Sequence, residues 1–334
     1  MLAIGYKSIM DRTDRQLVHC LLQDGRASLR RIADVLEVSE QTVARRLQRL
    51  REAGAVQVQV RPDTRATGQR SWFVRMQCRP DTASSLAAAL ATRDDVSWVN
   101  ITSGGSEIIC LARGAADQGG GSILRRLPRT SQVLAFTAFT VLHVHTGSGT
   151  RWLTLDDPLS PAQTAALQVG ARPHPTSPPH PLHPDDAPLL AELARDGRAG
   201  VAALARATGW PQSRVSTRLD ALLSTGTLQV KTDLSPAQFG YHTSAYLWLT
   251  VAPSHLAATG AEASLHPEAT FAASVTGTAN LLVTTTCRTD ADLYAYVTTR
   301  IGALPGVHQA EIVPVLHRLK QGGTRLHDNR LIPT

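Results

Sequence analysis

The sequence predicts an α+β protein of two tandem units, each a winged helix-turn-helix followed by a ferredoxin-like βαββαβ domain. Three observations predict it. The chain repeats itself at a long, fixed offset. Each repeat opens with three short amphipathic helical patterns. Each closes on segments that read strand, helix, strand, strand, helix, strand.

The repeat organises the rest of the chain. Asp24-Gly25-Arg26-Ala27 recurs as Asp196-Gly197-Arg198-Ala199, an offset of 172. At that offset 15 of the 45 positions from 14 to 58 are identical, among them Val43, Arg46, Leu47, Leu50 and Gly54. Ser103 to Ile108 then falls on Thr276 to Leu281 at offset 173. The expected boundaries are an extension 1–10, a winged helix-turn-helix 11–62 and a ferredoxin-like domain 70–146. A linker 147–184 leads to a second winged helix-turn-helix 185–234, a second ferredoxin-like domain 241–320 and a tail 321–334. Ala171 to Pro184 carries six Pro and three His. Proline so dense cannot feed a ladder, so it reads as extended linker, and the His as solvated polarity rather than metal ligands.

In the first unit, Thr13-x-x-Gln16 reads as a capping box before an apolar stripe at Leu17, Val18, Leu21 and Leu22. Gly25 stops that helix. Ser28 caps a short second helix with Leu29, Ile32, Ala33 and Leu36 inward, and Ser39 caps a third with Val43, Leu47 and Leu50 inward. Gly54 sits where a helix-ending glycine belongs. Val56, Val58 and Val60 then alternate with polar residues, as an edge strand or wing does.

Composition narrows the partner. The 334 residues carry 34 Lys+Arg against 27 Asp+Glu, a net +7. Residues 1–170 hold 21 basic and 15 acidic side chains, and 11–75 alone hold 13 and 8. Helix three exposes Gln41, Thr42, Arg45, Arg46 and Arg49 behind Ser39. Gln and Arg reach base edges bidentately, and a capped helix N-terminus suits a phosphate. The expected partner is double-stranded DNA, with Gln41, Thr42 and Arg45 as base readers and Arg46 and Arg49 at phosphates. The second unit departs: Trp210-Pro211 replaces Val38-Ser39, and residues 184–247 balance 6 basic against 6 acidic. Arg214, Thr217 and Arg218 keep a weaker DNA contact open there. One strong reading head per chain implies a homodimer or higher oligomer on a pseudo-palindrome.

The strand-rich halves read as strands Ser71–Cys78, Val96–Thr102, Ile108–Leu111 and Val133–Val144, with helices Asp81–Thr92 and Ser122–Leu127. The second copy reads as strands Ala245–Val251, Thr270–Thr276, Leu281–Thr286 and Val307–Val315, with helices Pro253–Leu265 and Asp290–Ile301. No apolar run spans a membrane and no signal peptide opens the chain. Cys20, Cys78, Cys110 and Cys287 stand far apart, which speaks against a zinc site or disulfide framework and for reduced core thiols in a cytoplasmic protein. No metal and no cofactor is expected.

A helix-turn-helix with Asp-Gly-Arg and Arg-Leu-x-x-Leu-x-x-x-Gly resembles the Lrp/AsnC family of transcriptional regulators. So do Thr232-Asp233-Leu234-Ser235-Pro236 before Phe239-Gly240, and the strand–glycine–strand stretch Val275 to Leu281. The resemblance implies an N-terminal DNA-binding domain and a regulatory βαββαβ domain whose sheets pair between protomers. It further implies an effector pocket, usually for an amino acid, beside the glycine turn. The residues there are Gly104, Gly105, Ser106 and Glu107, and Gly277, Thr278, Ala279 and Asn280. This chain departs from the family's Gly-x-x-Asp, although Glu107 can stand in for the Asp; a plain hairpin turn is the other reading. Because two units are fused, the sheet pairing can form inside one polypeptide.

The architecture is also similar to that of siroheme decarboxylases, fused forms included. Such a site should cluster His and Arg where the hinge meets the first regulatory strand. Arg61, Arg65, Arg70 and Arg75 lie there without His, and the second unit has only His242. No catalytic constellation stands out, so the chain is expected not to be an enzyme. A co-regulator using both modules for protein contacts is the remaining alternative.

Overall fold

The computed structural model describes residues 10–63, 69–115, 123–124, 127, 130–146, 156–168 and 180–332. The chain forms two compact units, and each takes segments from both halves of the sequence. One contains Arg70–Asp156 and Pro236–Asn329; the other contains Met10–Gln69, Asp157–Ser235 and the residues from Arg330 on. No helix among the described residues is long and apolar enough to cross a membrane.

The helical unit begins with α1 (Arg12–Gln23), α2 (Leu29–Leu36), α3 (Glu40–Glu52) and β1 (Val56–Pro62). Asp11, not Thr13, caps α1. Its carboxylate accepts the Asp14 amide at 2.9 Å while Asp14 accepts the Asp11 amide at 3.2 Å, which leaves Thr13 inside the first turn. Ser28 and Ser39 cap α2 and α3, and Gly54 leaves α3 at φ +65°. The span expected to be linker contains a helix, α5 (Pro161–Gln168). Ser160 and Gln163 cap it reciprocally, Leu167 is buried, and the Gln163 amide donates to the Val35 carbonyl at 3.1 Å. The proline-rich residues 169–179 lie outside the described residues. Then come α6 (Ala187–Arg195), α7 (Val201–Thr208), α8 (Gln212–Ser224) and β6 (Leu228–Leu234).

β1 is not an exposed wing. Residues 56–60 are all buried, because β1 pairs antiparallel with β6 along its whole length. The ladder centres on Gln59 opposite Lys231, positions 172 apart, so each half meets the other at its own equivalent residue. The buried Gln57 donates to the Arg195 carbonyl at 2.7 Å, which explains a polar residue on that strand.

The repeated Asp-Gly-Arg-Ala sequence seals the same pairing. Arg26 donates to the carbonyls of Gly197 and Ala199, and Arg198 donates to those of Gly25 and Ala27 at 2.6 and 2.8 Å. Glycine is required at the second position by contact. A Cβ on Gly197 would lie 2.7 Å from the Gln59 backbone, and one on Gly25 would lie 2.8 Å from Val230 Cγ1.

The second unit is strand-rich. Its first-half elements are β2 (Gln69–Cys78), α4 (Pro80–Ala91), β3 (Val96–Thr102), β4 (Glu107–Ala115) and β5 (Val133–Thr146). The helix expected near Ser122–Leu127 falls mostly outside the described residues; Ile123 and Leu127 are buried. The second-half elements are β7 (Thr243–Val251), α9 (Leu256–Leu265), β8 (Ala269–Val275), β9 (Leu281–Cys287), α10 (Asp290–Tyr296), β10 (Val307–Gln321) and β11 (Thr324–His327). The expected helix start at Pro253 gives way to Leu256, after a turn through Pro253 to His255.

Strands β10, β3, β4, β2, β5, β8, β9 and β7 are bonded in that order, and β7 bonds back to β10, closing a ring. The last long strand of each half crosses to the other half: β5 pairs with β8, and β10 pairs with β3 beyond its pairing with β7. Inside the ring Phe73, Ile109, Tyr246, Trp248, Val275 and Val313 pack together, with Phe73 edge-on to Tyr246 and Trp248, both at 6.4 Å. Outside, α4 covers Val74, Met76, Val99 and Ile108, while α9 and α10 cover Leu247, Leu249 and Val283. All four cysteines are free and buried.

Candidate functional site

Helix α3 buries Val43, Leu47 and Leu50 and turns its other face outward. Ser39 Oγ accepts the Thr42 amide at 3.1 Å and lies 2.8 Å from the Thr42 hydroxyl. Gln41 and Arg45 are exposed and make no hydrogen bond or ion pair among the described residues. Long donors at the start of a helix that follows a tight turn have the chemistry that, in helix-turn-helix proteins generally, recognises base edges.

Arg46 and Arg49, expected at phosphates, instead both bind the fully buried carboxylate of Asp14. Arg46 reaches Asp14 at 2.9 Å and Asp11 at 2.7 Å. The Asp11 bond and the Asp14 pair raise the Arg46 pKa. Arg51 pairs with Asp196 at 3.2 Å, and Arg31 pairs with Asp24. Much of the basic excess of residues 11–75 therefore holds the helices in place. The cluster fixes α3 against the start of α1.

Helix α8 has the same anchor in different company. Arg218 binds buried Asp186 at 2.6 Å and also donates to the Pro181 carbonyl at 2.8 Å. The Arg218 bond is the main cause that holds the Asp186 carboxyl below its ordinary value of 3.8. Pro211 occupies the cap position without a side-chain bond. Arg214 stacks on the Trp210 ring at 4.1 Å, and Thr217 is exposed. Arg214, Thr217 and Trp210 line a groove of about 890 Å³ whose far wall is His180 to Asp186.

The two glycine turns differ. In the first, Ser103, Gly104 and Gly105 take φ of +50°, +66° and +95°. Glu107 is buried and accepts bonds from Arg75 Nε at 2.8 Å, Thr102 Oγ1 at 2.9 Å and Ser103 Oγ at 3.2 Å. Arg75 also grips Glu311 at 2.8 and 2.9 Å and lies over Trp248 at 5.2 Å. Glu311, first, and Glu107 raise the Arg75 pKa, and Arg75 in turn lowers that of Glu311. In the second turn, Asn280 clasps the Val251 backbone, donating at 2.8 Å and accepting at 2.9 Å. Gly277 has φ +112°, and a Cβ there would meet Phe139 at 3.0 Å. Thr278 is exposed and Ala279 packs on the ring interior.

Around the connection from β1 to β2, Arg61 binds Gln59 at 2.7 Å, Arg70 is exposed, and Arg65 lies outside the described residues. His242 is exposed. Its neighbour Tyr241 donates to Asp156 at 3.0 Å, and Arg288 caps the Tyr241 ring at 4.8 Å while pairing with Asp156. The His143 and His145 rings meet edge-on with centroids 4.7 Å apart, and His145 lies 2.9 Å from Ser274 Oγ. Among the described residues, no group of three or more His, Cys, Asp or Glu could hold a metal ion.

Comparison with known proteins now adds to this geometry. An AsnC-type helix-turn-helix domain matches residues 10–51 and again 185–223, and an Lrp/AsnC ligand binding domain matches 244–324. No curated protein sequence matches the chain. A crystal structure of the siroheme decarboxylase NirDL superposes with a TM-score of 0.55 at 12% identity, covering 93% of each chain. The same enzyme in complex with an iron-uroporphyrin III analogue gives the same values. The Mycobacterium tuberculosis leucine response regulatory protein, LrpA, is 26% identical over 44% of this chain and 99% of its own, with a TM-score of 0.38. E. coli AsnC is 21% identical over 41% and 94% respectively, with a TM-score of 0.39.

The expectation that the chain is not an enzyme is corrected by these findings. An enzyme shares this architecture over nearly the full length of both chains, so the fold gives no ground for excluding catalysis.

Proposed function

We propose, from its matches to an AsnC-type helix-turn-helix domain and an Lrp/AsnC ligand binding domain, that the chain is an Lrp/AsnC-type, sequence-specific transcriptional regulator of double-stranded DNA. The observation that carries this reading is the outward face of α3. Among the described residues Gln41 and Arg45 stand unpaired, on a helix whose orientation is fixed by the buried Asp14. Ser39 and the capped helix start take a phosphate; Arg46 and Arg49 can reach one only in competition with Asp14. Residues 11–146 and 185–320 are two copies of one unit, and the reciprocal Arg26 and Arg198 bonds support that reading. Regulation comes through a small effector such as an amino acid at the glycine turns, the first of which carries the Ser103 and Ser106 hydroxyls beside Glu107, itself bonded to Arg75.

The test is a gel shift on duplex DNA recovered from the chain's own chromatin, repeated across salt. Binding that weakens steeply with salt, and Arg45→Ala losing about tenfold or more on the preferred duplex, is the expected result. Binding to no duplex at low salt refutes it. The whole-length likeness to NirDL supports a second reading, a decarboxylase acting on a siroheme-class tetrapyrrole. Its mark is a shifted tetrapyrrole absorbance on titration, with release of carbon dioxide.

A further inference from the structure

The two recognition helices of one chain share a scaffold and differ in everything they expose. Equivalent bonds hold them: Asp14 with Arg46 under α3, and Asp186 with Arg218 under α8. A reciprocal interface relates them, with β1 against β6 about Gln59 and Lys231, and Arg26 and Arg198 each bonded to the other half's carbonyls. A homodimer built on such an interface presents one helix twice and therefore reads an inverted repeat. Here the pairing is made inside one chain, so nothing forces the two reading faces to match. At the 172 offset Gln41 faces Ser213, Thr42 faces Arg214, and Arg45 faces Thr217. Gln48 becomes Asp220, and Arg49 becomes Ala221.

We propose that the DNA site is an ordered pair of unlike half-sites, one under α3 and one under α8, bound by a single chain that gives the site a direction. This rests on the DNA-binding reading above. Under α3, Gln41 suits adenine and Arg45 suits guanine, each through two bonds. Under α8 the only long cation on the exposed face is Arg214, shifted three positions towards the helix start. Its guanidinium is held over the Trp210 ring at 4.1 Å, which narrows the directions it samples. Thr217 offers one hydroxyl and a methyl where Arg45 offers a fork. Asp220 adds a negative charge where Gln48 has none, which repels phosphate. The α8 half-site is therefore shorter and less strictly specified than the α3 half-site.

The experiment is selection from a random-sequence duplex library with the full chain at fixed salt, followed by sequencing. The expected motif is not palindromic and holds two unlike half-sites at constant spacing. Arg45→Ala should relax one half-site alone and Arg214→Ala the other alone, each by about tenfold at the affected positions. Both side chains are exposed, so both variants keep the fold. A triple variant, Ser213→Gln, Arg214→Thr and Thr217→Arg, should turn the motif towards an inverted repeat. An inverted repeat from the unaltered chain overturns the inference, as does Arg214→Ala leaving every position unchanged. Enrichment of no sequence overturns the DNA-binding reading itself, a result distinct from either.

Discussion

Replacing Gly197 by Ala should cost far more than the same change at its counterpart Gly25. The new Cβ at position 197 would lie 2.7 Å from Cα and C of Gln59 and 2.8 Å from its N. Those atoms are backbone at the centre of the β1–β6 ladder, so relief requires the strand to move by about 0.7 Å towards an ordinary contact distance. Overpacking of that kind costs about 3 kcal/mol. Lost freedom of the unfolded chain returns about 0.7 kcal/mol, leaving a net of about 2 kcal/mol. At position 25 the obstacles are side-chain atoms, Val230 Cγ1 at 2.8 Å, Thr232 Oγ1 at 3.0 Å and Val58 Cγ1 at 3.1 Å. These are side-chain rather than backbone atoms, but the valines are stiff and Thr232 Oγ1 is held by the Leu21 carbonyl at 2.7 Å, so Gly25→Ala should cost less, about 1 kcal/mol. Calorimetry reads the difference as roughly 3 °C per kcal/mol for a unit of this size. Val230→Ala should relieve Gly25→Ala in a double-mutant cycle and leave Gly197→Ala unimproved. If Gly25→Ala proves the more damaging of the two, steric closeness at the repeated motif is not what demands glycine.

Asp14→Ala should destabilise by about 2 kcal/mol in urea unfolding, below the cost of breaking a fully buried pair because Arg49 is half exposed and Arg46 keeps Asp11. A loss under 0.5 kcal/mol would mean the cluster anchors nothing. Asp186 titrates below its ordinary 3.8 in the fold, so the unfolded chain takes up the proton first and stability must fall as pH drops below that value. Melting temperature against pH should show that slope, and Arg218→Met should flatten it. Glu107→Gln should cost more than Glu311→Gln in the same unfolding assay. Both carboxylates bind Arg75, but the side chain of Glu107 is 7% exposed and that of Glu311 51%. Equal costs would place the Arg75 cluster in solvent.

Much of this architecture was legible beforehand, because local chemistry decides it. Ser28 and Ser39 announce their helices, and β3 begins and ends at the expected residues, Val96 and Thr102. What the sequence hid is non-local. β10 was expected to stop at Val315 and runs to Gln321, because the residues beyond pair with β3 from the other half. Arg46 and Arg49 sit on a polar helical face, and no periodicity tells that a buried carboxylate from α1 will take them. One signal did exist: Asp14 and Arg46 recur together as Asp186 and Arg218, which a pair in contact would do. The Ser160 and Gln163 cap was likewise readable, and was masked by the prolines that follow it. The Asp-Gly-Arg repeat was conspicuous, yet its partners are carbonyls some 170 residues away, which no side-chain pattern records.

The closed ring also sets a schedule for synthesis. When residue 146 leaves the ribosome, β3 and β5 each have one neighbour from their own half and one bare edge. The strand that covers β3 ends at Gln321, which is 175 residues later (321 less 146). At about 5–20 residues per second, that edge waits about 10–35 s. A bare edge is a template for pairing with any other nascent chain. Tethering makes the rescuing strand arrive on the same polypeptide, at the high effective concentration of a linked segment and independent of how much protein the cell has made. Carrying both halves on one polypeptide thus replaces a search for a second subunit with a fixed delay.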